Sequence, residues 1–310
     1  MNTFASILVD TDATAFAQPA LHRAANLARK CGARLRIVDV MSAPAERAPR
    51  ADLEDELMTR RREQLARIAY GLRDLMVDTE VLAGPPADAL IKDVECFGHD
   101  LVVRSHVRDL VARRPQAFGP IDAQLFRRCP CPVWAIGPGV APEHHRIAAA
   151  VDVCMDDPAT QRLNARIVDM ALLLNQLQEG SLLLVHAWQP VAEKRVATHV
   201  SDDEYSAYVD SSRHGAKRKL ATLVESFADR LAGTQLELRR GRVDDVIPEF
   251  VVAEGIDLVV MGTQARTGIA GRLFGNTAER LLTRLPCSIV VVKSSERTSL
   301  ARGDAPEPHM

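Results

Sequence analysis

The sequence predicts an α/β protein made of two tandem, doubly wound units, each a parallel sheet with helices on both faces. Two observations predict it. Short apolar runs alternate with amphipathic segments along most of the chain, and that order occurs twice. Strands separated by helical segments need crossover connections, which pack helices over both faces of a parallel sheet.

In the first unit, Phe4 to Asp10 is a short apolar run of strand length. Gln18 to Lys30 carries Leu21, Ala24, Ala25 and Ala28 at helical spacing, and Arg34 to Met41 returns to strand. The Ala/Pro/Arg-rich stretch from Ser42 to Arg50 reads as a loop. Leu53 to Leu75 is a long charged amphipathic helix, Val77 to Leu82 a strand, Ala87 to Phe97 a helix and Asp100 to Val103 a strand. Ile121 to Arg127 is a short helix and Val133 to Ile136 the last strand. The second unit repeats the order with strands at Ile147 to Val153, Ser181 to Trp188, Gln235 to Arg239, Leu258 to Met261 and Ser288 to Val292. Its helices are Thr160 to Gln178, Glu204 to Leu231, Val246 to Ala253 and Ala278 to Thr283.

The repetition is visible in the residues. Asp257 to Met261, DLVVM, matches Asp100 to Arg104, DLVVR; Gly275 lies eleven residues before Pro286, as Gly119 lies eleven before Pro130. Ser6 to Asp10 is aligned with Ala148 to Asp152, which makes Asp10 and Asp152 equivalents. One repeat at so long a period means tandem domains, not a solenoid. The expected division is 1–140, 146–293 and a polar tail at 294–310, with PGVAPE, Pro138 to Glu143, as linker.

Lys and Arg number 39 against 41 Asp and Glu, a formal charge of −2, which disfavours binding nucleic acid by phosphate neutralisation. No apolar run approaches the roughly 20 residues of a membrane span, and no secretory leader is recognisable, so a cytoplasmic location is expected. Six cysteines sit mostly within apolar or helical patterns, in a chain long enough to hold a core without disulfides.

The chemistry-bearing stretch is Gly262 to Glu279, GTQARTGIAGRLFGNTAE, a glycine-bearing loop between the apolar IDLVVM and a helix start. In an open parallel sheet a ligand settles beyond the carboxyl ends of the strands where the winding reverses. That crevice lies here between the first and fourth strands, with Asp152 opposite the loop. Backbone amides can grip a phosphate where no side chain intervenes, and a helix N-terminus adds favourable charge. Asn276-Thr277-Ala278-Glu279 fits a capping box; the same helix start, with Arg266, Thr267 and Arg272 nearby, also suits an anion. Neither GxGxxG nor GxxxxGK[ST] follows the first strand of either unit.

These residues resemble the universal stress protein family, and in particular its tandem, E-type members, over essentially the whole chain from ILVD to VVVK. The resemblance implies Rossmann-like domains of the adenine nucleotide alpha hydrolase-like kind, with five parallel strands each. The family's ATP-binding branch carries Gly, two residues, Gly, nine residues, then Gly followed by Ser or Thr. Here the positions are Gly262, Ala265, Gly275 and Asn276, so two of the four depart. By the resemblance, Asp152 and Ala187 face a base, while Gly262, Ala265, Gly275 and Asn276 line phosphates. The ligand it implies is ATP with Mg²⁺, in the second unit. It also implies pairing of the two units through Val133 to Ile136 and Ser288 to Val292, each an edge that needs covering; a homodimer stays open.

The first unit gives weaker grounds for binding: Ser105 and Arg108 stand for Gly262 and Ala265, and Gly119 is followed by Pro120 and Asp122. Pro120 lacks a donor, and Asp122 puts negative charge where a phosphate would rest. Cys129-Pro130-Cys131 has no second Cys/His pair at metal-finger spacing and reads as structural thiols. His144 and His145 fall in the linker, and His186, toward the end of the apolar run SLLLVHAW, reads as a core or pocket-rim histidine rather than a base. No nucleophile triad or paired carboxylate is recognisable, which disfavours an enzyme. Three readings remain: a stress-response sensor of an adenine nucleotide, a binding module for another phosphorylated or partly apolar ligand, and a weak nucleotide hydrolase. A ligand-free paired scaffold is the fallback.

Overall fold

A computed structural model describes residues 3–11, 19–41, 51–105, 118–137, 146–155, 157–263, 280–282 and 284–293. The first half runs β1 (Ser6–Asp10), α1 (Pro19–Cys31), β2 (Arg34–Met41), α2 (Ala51–Gly71), β3 (Val77–Ala83), α3 (Pro86–Phe97), β4 (Leu101–Ser105), α4 (Pro120–Arg128) and β5 (Val133–Ile136). The second runs β6 (Arg146–Ala150), α5 (Pro158–Gln178), β7 (Ser181–Trp188), α6 (Glu193–Ala197), α7 (Asp202–Glu225), β8 (Gln235–Arg240), α8 (Val243–Ala253), β9 (Leu258–Thr263) and β10 (Ser288–Lys293).

The strands form one ten-stranded sheet in the order β3-β2-β1-β4-β5-β10-β9-β6-β7-β8. Within each half all neighbours are parallel. The halves meet where β10 runs antiparallel to β5, with Val290 opposite Trp134. This is the pairing of last strands that the family resemblance implies, and it converts two exposed edges into the middle of a continuous sheet.

Burial explains the composition of the strands. In β1, Ile7 and Val9 pack into one core cluster and Leu8 into the other, on opposite faces of the sheet. Both faces are covered, so the central strands read as unbroken apolar runs, while nearly every residue of the outer strands β3 and β8 is exposed or half-exposed.

The two halves repeat the same local devices. Asp100 Oδ2 accepts from the Ser6 amide at 2.9 Å, and Asp257 Oδ2 from the Arg146 amide at 3.0 Å. Arg128 pairs with Asp88, and Arg284 with Asp245, each at 2.5 Å. Gly98, which caps α3, and Gly255, just past α8, are both left-handed, with φ of 71° and 58°, a conformation that favours glycine.

These contacts correct the alignment of the first strands. Ile7 pairs with Leu101 and Ile147 with Leu258, so Ile7 is the counterpart of Ile147. Asp10 therefore matches Ala150, and Asp152 matches Asp12. Matching by the DLVV segment was sound, but the small residues Ala148 to Ala150 gave too little pattern to fix the register of the opening strand.

The helices differ from expectation mainly at their ends. α2 stops at Gly71, yet Leu72 and Leu75 still pack on the core, so the apolar spacing outlasts the helix. In the same way α7 ends at Glu225 and starts at a Ser201–Glu204 capping box, while Leu231 stays buried beyond it. The short α6, which buries no residue, has no apolar signal to reveal it.

Candidate functional site

The crevice of each half opens beyond the carboxyl ends of its first and fourth strands, which are direct neighbours: β1 beside β4, and β6 beside β9. The chain leaving the first strand is held to the second by one main-chain bond in each half. Thr11 N–H donates to Val38 C=O at 2.9 Å, and Val151 N–H to Val185 C=O at 3.0 Å.

In the second half, Asp152 follows that bond. Its amide donates to Asn164 Oδ1 at 3.0 Å, and its carbonyl accepts from Asn164 Nδ2 at 2.6 Å, so α5 clamps the loop from both sides. Its Oδ1 accepts from the Cys154 amide at 2.9 Å. The carboxylate is therefore a turn-former as well as an exposed group at the crevice. Cys154 Sγ lies 3.3 Å from His186 Nε2, while His186 Nδ1 is 3.0 Å from Val151 C=O. A carbonyl only accepts, so Nδ1 carries the ring proton and Nε2 offers its lone pair to the sulfur. Burial lowers the His186 pKa from 6.5, which favours that neutral ring. Lys219 on α7 donates to Cys154 C=O at 3.2 Å.

Gly262 departs from its expected position. It is a strand residue of β9, in register with Val292, and the strand continues through Thr263. Its φ is not positive, and a Cβ built on it would lie 2.5 Å from Leu163 Cγ. The glycine is needed here because the first turns of α5 lie close against β9, a packing reason that spacing alone does not reveal. Ala187 sits on β7, partly buried and in register with Arg239, on the face opposite His186. Ala265, Arg266, Thr267, Arg272, Gly275, Asn276 and Thr277 lie outside the described residues.

In the first half, described side chains at the crevice pair with one another. Arg104, buried at the end of β4, has Nη1 3.0 Å from Asp122 Oδ1 and Nε 3.3 Å from Asp10 Oδ2. Asp122 is fully buried and its Oδ2 also accepts from the Gly119 amide at 2.8 Å. An internal carboxylate thus takes the start of α4, the place where an external anion would dock. Ser105, standing where the second half has Gly262, accepts from the Ala20 amide at 3.0 Å and caps α1. The expectation that Asp122 opposes an anion agrees with this geometry; its partner Arg104 carries no sequence signal beyond a charge ending an apolar strand. By the DLVV and glycine-proline matches, Arg104 corresponds to Met261 and Asp122 to Ala278, so the second half lacks both charges.

Cys129 and Cys131 are buried in the core with sulfurs 3.6 Å apart. His144, His145 and Arg108 lie outside the described residues. The residue that sequence reasoning passed over is Cys154; its partners lie 2 and 32 positions away in sequence, and only the β6–β7 pairing joins them. Among the described residues, no helix is long and apolar enough to cross a membrane.

The family model "Universal stress protein family" matches residues 3–137 and 143–293. Universal stress protein E of Escherichia coli K12 is 27% identical over 311 residues, covering 96% of each chain. The universal stress protein E homolog of Haemophilus influenzae is 31% identical over 212 residues, covering 68% of this chain and 67% of its own. A putative universal stress protein from Pseudomonas aeruginosa UCBPP-PA14 superposes with a TM-score of 0.68 at 25% identity, covering 94% of this chain and 93% of that one.

Proposed function

This chain belongs to the universal stress protein family, and on that premise we propose that it is a stress-response ligand sensor whose second half, 146–293, binds ATP or a related adenine nucleotide. The first half, 1–140, serves as a paired scaffold. The observation that carries this reading is the contrast between the crevices. In the first half an Arg104–Asp122–Asp10 cluster occupies the anion position, and in the second the two central charges are replaced by Met261 and Ala278. With Ala278 where the first half has Asp122, the second-half helix start lacks the carboxylate that takes this place in the first, and a helix start offers main-chain donors and positive dipole charge to a phosphate.

In this reading Gly275, Asn276 and Thr277 supply the helix start, with Ala265, Arg266, Thr267 and Arg272 on the loop before it. Asp152 and Ala187 face the base. Gly262 acts indirectly, letting α5 approach β9. Mg²⁺ accompanies ATP as a partner of its phosphates. A phosphorylated or amphipathic ligand other than ATP is the second reading, favoured by Ala265 and Asn276, which depart from the family's ATP pattern.

Calorimetric titration of the full chain with Mg-ATP tests the proposal, alongside mass spectrometry of any small molecule released on denaturation. One site per chain is expected, lost in Gly275→Val and retained in Asp122→Asn. Release of a non-nucleotide ligand with no ATP binding would select the second reading. Binding abolished only by the first-half variant would overturn the assignment of the halves.

A further inference from the structure

We propose that Asp152, Cys154 and His186 form a binding site for a borderline-soft transition-metal ion such as Zn²⁺, at the mouth of the second crevice. One ligand atom from each of the three lies within 4.8 Å of the others. Thiolate, imidazole and carboxylate are the three ligand types this ion takes, and three protein ligands leave a fourth position for water or a ligand oxygen. The closest pair has the right separation. Zn–S and Zn–N bonds of about 2.3 Å and 2.0–2.1 Å at a tetrahedral angle place S and N roughly 3.5 Å apart, against 3.3 Å between Cys154 Sγ and His186 Nε2.

The outer contacts fit the same role. Val151 C=O, which accepts from Nδ1, fixes the tautomer so that Nε2 points at the sulfur; metal-ligating histidines are oriented this way. The Asn164 bonds to the Asp152 main chain and the bond from the Cys154 amide to Asp152 Oδ1 hold the loop in place. His186 is buried and Cys154 exposed, so the rigid ligand lies inside and the other at the solvent side, where an ion can enter. The site is not a feature of the repeat: by the strand registers the matching first-half residues are Asp12, Thr14 and Asp39, which include neither a thiol nor an imidazole, and Asp39 is paired with Arg61 at 2.7 Å. Binding displaces the thiol proton, forming a Zn–S bond and releasing one H⁺ to solvent. The Lys219 ammonium, whose Nζ bonds Cys154 C=O, is the cation the ion must tolerate.

The test uses the reduced, chelator-stripped full chain without nucleotide, titrated with Co²⁺ and then Zn²⁺. Expected are one tight site, a cobalt–thiolate charge-transfer band displaced by Zn²⁺, and release of about one proton per ion. Cys154→Ser should abolish the band and weaken Zn²⁺ more than about 100-fold, since losing even an outer partner costs about 10–100-fold. Cys96→Ser, an exposed thiol on α3, should change neither. Melting curves of both metal-free variants check that they fold. Absence of the thiolate band in the parent chain, or a Cys154→Ser variant that binds Zn²⁺ as tightly as the parent, overturns the proposal.

Discussion

At the scale of single residues, the two crevices differ by a few substitutions whose cost can be measured. Arg104→Met removes the cation between Asp122 and Asp10 and leaves a fully buried carboxylate without it. A loss of about 3–5 kcal/mol is expected from urea unfolding. Adding Asp122→Ala, which copies the second half, should restore most of that; a single variant as stable as the parent would refute the buried-pair account. Gly262 makes a second case. Gly262→Ala forces a methyl onto Leu163 and should cost about 1–3 kcal/mol by overpacking. In a double-mutant cycle with Leu163→Ala the two costs should be strongly non-additive. Additive costs would mean that the glycine serves something other than the α5–β9 contact.

At the scale of elements, the last strand carries a titratable group into the joint between the halves. Lys293 ends β10 with its ammonium bonded to Cys129 C=O, and burial lowers its pKa from 10.5 to about 8. A lowered lysine pKa means that the unfolded chain holds more protons between the two values, so stability rises with pH from about 8. Cys287 opposes this at higher pH. Burial raises its pKa from 9.0 to about 12, so above pH 9 the unfolded chain loses protons that the folded one keeps. The net expectation is a rise in unfolding free energy between pH 8 and 9, of at most about 1.4 kcal/mol. Lys293→Met should remove the rise and be more stable than the parent near neutral pH. A flat parent profile across that unit of pH would show that Lys293 is solvated in solution.

At the scale of the whole molecule, the sheet is continuous because β5 and β10 seal each other, and Gly137 permits the approach. Its amide donates to Ser288 Oγ at 3.1 Å, and a Cβ there would stand 2.8 Å from the Cys287 carbonyl carbon. Main chain cannot yield as a side chain can, so Gly137→Ala should destabilise the joint, with a lower melting midpoint and faster amide exchange in β5 and β10. Unchanged exchange there would place the contact outside the cooperative unit. The pairing of the last strands was implied by the family resemblance; alternating strand and helix patterns, the DLVV repeat and the matched glycine-proline spacings determined from sequence alone that this is a tandem doubly wound protein. Those features are local or periodic, and periodicity reports which face of an element is buried. Tertiary structure alone decided the rest: the register that matches Asp152 to Asp12, the Arg104–Asp122 plug, Leu163 against Gly262, and the meeting of Cys154 with His186. Each joins residues on different elements, and their distance is set by strand order and helix packing, which leave no mark in the spacing of residues along the chain.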